Sequence, residues 1–178
     1  MVMVEMSIYG VSFDLVGKQP IVLLKTAEGN KYLPIWIGHP EAAAILMKLQ
    51  GATAPRPLTH DLLVNILGEL EVEVVRVTVT ELRENTFHAS ITMQQDGAEI
   101  EIDSRSSDAI AIAVRAQVPI FAADEVIEES AIEFDGEDVN EEEIVDEFKR
   151  FLDRVSAEDF AEAEAEADAE TETEDDDA

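Results

Sequence analysis

The chain has 178 residues, 46% of them hydrophobic and none a cysteine. That is enough apolar material for one sizeable core, and it excludes disulfides and thiolate metal sites. The formal net charge of −29 is uneven: residues 1–123 carry 15 acidic and nine basic residues, whereas residues 124–178 carry 26 acidic and three basic. A globular body with an acidic tail is the expectation, and an extended basic face of the kind that displaces counterions from nucleic acid is not.

No apolar run approaches the roughly 20 residues of a membrane span, and Met1 to Glu5 lacks a basic stretch leading into an apolar one. A cytoplasmic protein is expected. In chain order, Met3 to Asp14 alternates as a strand, Gly17 to Pro20 turns, and Ile21 to Lys25 is a second strand. Glu28-Gly29-Asn30 turns again, and Tyr32 to Ile37 forms a third strand in which Pro34 requires an edge or a bulge. A helix follows from Pro40 to Gln50, with proline at its first position and Glu41 in its first turn.

Pro55 and Pro57 stiffen the entry to a second helix, with Thr59 as the expected N-cap. Leu62, Leu63, Ile66, Leu67 and Leu70 recur at helical spacing, which predicts a buried face. The order then repeats: strands over 72–80, 86–93 and 99–103, and a helix capped by Ser104 to Ser107 that runs to Gln117. Sliding the chain by 67 residues puts Ile37 on Ser104 and Glu41 on Asp108. The predicted fold class is therefore α+β: duplicated βββα units, a mostly antiparallel sheet, a connecting helix and a C-terminal helix. A short strand over 119–122 and a short helix over 124–130 close a domain spanning 1–131. An apolar stripe from Ile144 to Val155 predicts a helical extension over 132–157, and the alternation of alanine with acids predicts a disordered tail over 158–178.

No nucleophile elbow, phosphate loop, dinucleotide fingerprint or zinc-protease motif occurs. What remains is a set of polar groups at helix starts: Glu41, Arg56, His60, Asp61, Asp103, Arg105 and Asp108. Carboxylates that hold a hard cation, together with arginines that offset phosphate charge, suit phosphodiester cleavage. The plainer reading is that Glu41, Asp61 and Asp108 only complement helix dipoles, worth about 0.3–1 kcal/mol each, with the arginines as their ion-pair partners. His39 reads as a cap, His88 as a solvated strand residue, and Tyr32 and Trp36 as core or subunit contacts.

Three separated segments resemble the bifunctional nuclease domain family: Pro34-Ile35-Trp36-Ile37-Gly38 with Glu41-Ala42, Arg56 through Leu63, and Asp103 through Ala111. The resemblance spans about residues 3–131, and the later stretch around Phe148 to Phe160 is similar to an extension of bacterial, especially actinobacterial, members. Ser106 departs from the family pattern, which has proline there. The resemblance implies an α+β domain that hydrolyses DNA and RNA. The resemblance does not assign roles; from their chemistry, Glu41, Asp61 and Asp108 are expected to bind Mg2+ or Mn2+, with His60 activating or positioning water. Arg56 and Arg105 are expected to hold the scissile phosphate, with Arg115 a weaker candidate deep in its helix. The acidic tail is expected to compete for those arginines. The alternative from another class is a non-enzymatic oligomeric module that binds a small ligand or protein, and a homodimer or higher homo-oligomer is expected in either case.

Overall fold

The computed structural model describes residues 2–13 and 18–133. The expected helical extension and acidic tail lie outside the described residues, apart from the first two positions of the extension. Alternation in the N-terminal segment produces β1 (Met3–Phe13), which pairs antiparallel with β2 (Pro20–Thr26). β2 pairs in turn with β3 (Lys31–Trp36). Pro34 sits opposite Leu23 of β2, while β8 (Ile132–Glu133) pairs on the other side of β3 only at Lys31 and Tyr32. The missing amide of Pro34 therefore falls where β3 has no neighbour among the described strands, which is why proline is tolerated.

The second meander is β4 (Glu73–Arg83), β5 (Thr86–Gln95) and β6 (Ala98–Arg105). Its two hairpin loops are Glu84-Asn85 and Asp96-Gly97, all four with positive φ, as two-residue hairpins that match strand twist require. Between the meanders lies β7 (Ile120–Ala123), antiparallel to β1 and parallel to β4. The sheet order is β6-β5-β4-β7-β1-β2-β3-β8. β4–β7 is the parallel pairing and the other six are antiparallel, so the expected α+β class holds. Both meanders lead into a helix, giving the order βββα twice around a shared central strand.

Three helices build the layer that matters for function. α1 (His39–Leu49) packs on β2, and α3 (Ser106–Ala116) packs on β4 and β5. α2 (Thr59–Glu69) leans mainly on α3. α4 (Asp124–Ser130) packs against β3, β4 and β7. α3 is the helix on which this layer is organised. Ala109 to Ala113 are all buried, because α3 is covered by the sheet and by α1 and α2 at once, and its alanines let those neighbours approach closely.

The buried face expected for α2 is not found. Leu62, Leu63, Ile66 and Leu70 are 51, 40, 45 and 59% exposed, and only Val64 and Leu67 pack partly against the core. The helix rests mainly on another helix and touches the sheet at β4, so a narrow ridge is covered and the rest of the apolar stripe faces outward. Thr59 is also not the cap. The helix begins at Thr59 with Leu58 in the capping position, and the Asp61 carboxylate reaches back to accept from the Leu58 amide at 2.9 Å. This is the acidic half of a capping box, made without a hydroxyl partner.

Candidate functional site

Short loops and helix starts bring four of the expected side chains together. α1 begins after Gly38, and Glu41 stands in its first turn. The Glu41 carboxylate folds back over Gly38 so closely that a Cβ there would meet Oε2, so the missing side chain is what lets the acid lie down. From that position Glu41 Oε1 accepts from Arg105 Nη2 at 2.8 Å. Arg105 ends β6 and immediately precedes α3, and its Nε donates to Asp108 Oδ2 at 2.8 Å. Asp108 uses its other oxygen, Oδ1, for His60 Nε2, also at 2.8 Å. One continuous chain, Glu41–Arg105–Asp108–His60, thus ties the starts of α1, α3 and α2.

Electrostatics follow from this wiring. Burial would raise the Asp108 carboxyl, but hydrogen bonds and charge from Arg105 and His60 outweigh it and hold the group below its ordinary value. The hydrogen bond to Asp108 raises Arg105 against the opposing effect of burial, with Glu41 adding to the rise. Arg105 is still 68% exposed, so its remaining N–H groups face solvent. The His60 ring is mostly buried, with Nε2 held by the carboxylate; Nδ1 has no hydrogen-bond partner among the described residues. In the neutral ring this arrangement favours the proton on Nε2 and a lone pair on Nδ1.

Asp61 is separate from this chain. Its Oδ1 accepts from Arg115 Nε at 2.6 Å and its Oδ2 from the Leu58 amide. The Leu58 hydrogen bond first and Arg115 second hold its carboxyl below the usual range. Arg115, 5% exposed, also donates to the carbonyls of Ala111 at 2.9 Å and Ala44 at 3.1 Å, joining all three helices from beneath. Arg115 thus matters more than its place deep in α3 suggests. The signal for it was a lone guanidinium at the end of an otherwise apolar helical run, which must find partners once buried.

Arg56 is also apart from Arg105. It is exposed in a cleft of about 280 Å³ lined by Lys48, Pro55, Asp61, Asn65 and Arg115. Arg105 instead borders a cleft of about 260 Å³ with Trp36, Gly38, Phe87, Ser106 and Ser107. Asp103 is exposed on β6 and takes no part in the chain. Of the other side residues, His39 lies beside Phe13 at 6.5 Å between ring centres, and His88 contacts Arg83 at 3.3 Å. Tyr32 is buried edge-on to Tyr9 at 5.3 Å, as a core residue would be.

A divalent cation held jointly by Glu41, Asp61 and Asp108 does not fit these positions as they stand. Both oxygens of Asp61 and both of Asp108 are engaged, and among the described residues no three His, Asp or Glu side chains gather as a ligand set.

Comparison with known proteins agrees with the resemblance carried by the motifs. Two uncharacterized proteins of Mycobacterium tuberculosis, from strains CDC 1551 and H37Rv, are each 38% identical over 162 residues, covering 88% of this chain and 97% of theirs. A protein of Oryza sativa subsp. indica named bifunctional nuclease 1 is 28% identical over 103 residues, covering 56% of this chain and 31% of its own length. The model of the bifunctional nuclease domain matches residues 22–135, which include every member of the Glu41–Arg105–Asp108–His60 chain, and the protein belongs to that family.

Proposed function

We propose that this protein is a nuclease that hydrolyses phosphodiester bonds of DNA and RNA, with His60 as the group that takes the proton from the attacking water. The observation that carries this reading is the His60 Nε2–Asp108 Oδ1 contact of 2.8 Å, with Arg105 on the other oxygen of the same carboxylate. Asp108 orients the ring and stabilises the imidazolium, so Nδ1 receives the water proton as the water oxygen bonds to phosphorus. The exposed N–H groups of Arg105 face the phosphoryl oxygens, where charge builds as the leaving oxygen departs. Glu41 positions Arg105. General base catalysis of this kind contributes about 10²–10⁴ in rate.

Mg2+ or Mn2+ is the proposed cofactor class for some step of the cycle, and no step here is assigned to it. The test is hydrolysis of DNA and RNA by homogeneous protein with EDTA, magnesium or manganese, comparing wild type with His60→Ala. Loss of turnover in His60→Ala under every condition supports the reading, and equal turnover removes His60 from the mechanism.

A second reading has its own support. Arg105 is already paired with two carboxylates, as a clasp between helices would be. In that case the site is structural and the protein is a homodimeric or larger binding module. Wild type without hydrolytic activity, together with a lowered Tm in Arg105→Ala, favours this second reading.

A further inference from the structure

The cleft lined by Lys48, Arg56 and Asn65 is not used by the chemistry above. We infer that it is a subsite for a backbone phosphate of a nucleic-acid strand, next to the one being cleaved, recognised through Lys48 and Arg56. The inference rests on the nuclease reading and deepens it.

Charge balance is the first ground. Among the described residues Arg76, Arg83, Arg105 and Arg115 each form an ion pair, whereas Arg56 forms none. Lys48, in the last turn of α1, is likewise exposed and without an ion pair among the described residues. Arg115 and Asp61 lie at the back of the cleft and offset each other. Two cations are therefore left facing an open space of about 280 Å³ in a body whose first 123 residues are net acidic. Such a pair attracts an anion that the rest of the surface repels.

Preorganisation is the second ground. Arg56 lies between Pro55 and Pro57, each with its φ fixed, so little backbone freedom is lost when its guanidinium engages a ligand. Asn65, one turn along α2 from Asp61, adds an amide donor at the same opening. Position is the third ground. Asp61 lines this cleft and His60 is its immediate neighbour in the first turn of α2, so cleft and reaction centre lie on either side of one helical turn. A strand whose scissile phosphate meets His60 and Arg105 can place a neighbouring phosphate against Lys48 and Arg56. Arg56 thereby moves from the scissile phosphate to a flanking one.

The test separates binding from turnover by using full-length protein carrying His60→Ala. Fluorescence anisotropy with a labelled ten-residue oligothymidylate is read at 50–200 mM salt for this background and for the same protein with Lys48→Gln and Arg56→Gln. The expected result is about a tenfold or greater rise in Kd and a salt slope shallower by about 0.7 for each phosphate no longer neutralised. Lys31→Gln, which removes a cation at the far edge of the sheet, should change neither beyond a general charge effect, and Arg56→Lys should restore part of the affinity. Unchanged Kd and slope in the Lys48→Gln, Arg56→Gln protein would overturn the subsite even if wild type cleaves DNA. Conversely, a large Kd change with no cleavage by wild type supports the subsite while removing the nuclease reading.

Discussion

His60 and Asp108, 48 positions apart in the chain, meet at 2.8 Å through Nε2 and Oδ1 and thereby fasten α2 to α3. Because the carboxylate is an acceptor only, it selects the ring form with its proton on Nε2. Nitrogen-15 NMR of the neutral ring should show that tautomer in wild type and a mixed population in Asp108→Asn. The same substitution should lower kcat by about 100-fold or more if the ring acts as a base.

Arg115 is predicted to matter for stability more than for turnover. The guanidinium's hydrogen bonds to the Asp61 carboxylate and to the carbonyls of Ala111 and Ala44 are all lost in Arg115→Met. Urea denaturation should show a loss of about 3 kcal/mol. A loss below about 1 kcal/mol would mean that water replaces the guanidinium.

Acid should loosen the helix layer. Asp61 and Asp108 are both held below the ordinary carboxylate value in the folded chain, so the unfolded chain binds protons first as pH falls. Their contribution is fully present above about pH 4 and is lost as pH drops through the lowered values. Stability measured from pH 6 down to pH 2 should fall in that window, and less steeply in Asp61→Asn.

Ser106→Pro should be tolerated. Ser106 is the first residue of α3, where proline costs no helical hydrogen bond, and Arg105 before it is extended at φ −62° and ψ 142°, as a residue preceding proline must be. Thermal unfolding should show stability equal to wild type or higher by about 0.5–1 kcal/mol. A large loss would show that the buried hydroxyl has a role the backbone does not explain.

The exposed stripe of α2 should be inert to folding. Replacing Leu63 and Ile66 with glutamine should change stability by less than about 1 kcal/mol, whereas Ile45→Ala, fully buried in α1, should cost about 3 kcal/mol. Urea midpoints distinguish the two cases.

The strands and hairpins were legible in the sequence because their signals are local. Asn85 and Gly97 take the left-handed conformations that two-residue hairpins need, and Pro34 lies where β3 lacks a neighbour among the described strands. The helices misled where tertiary context decides. Leucine spacing in α2 predicts a buried face, but periodicity does not say whether a sheet or only a narrow helix ridge lies opposite. For the site, Glu41, His60, Arg105 and Asp108 were legible as polar residues at helix starts. Their linkage was not, because it depends on β6 delivering Arg105 between two other helices. Asp61 and Arg56 belong to the same helix start as His60, yet adjacent residues in a helix point about 100° apart, which sends Asp61 toward Arg115 and the other cleft.

The most direct test is a double-mutant cycle on DNA and RNA hydrolysis with His60→Gln, Asp108→Asn and the two combined. If the carboxylate acts through the imidazole, the double variant is no slower than His60→Gln alone, and the single losses do not add. Losses that multiply, or full activity in His60→Gln, would contradict a His60–Asp108 reaction centre.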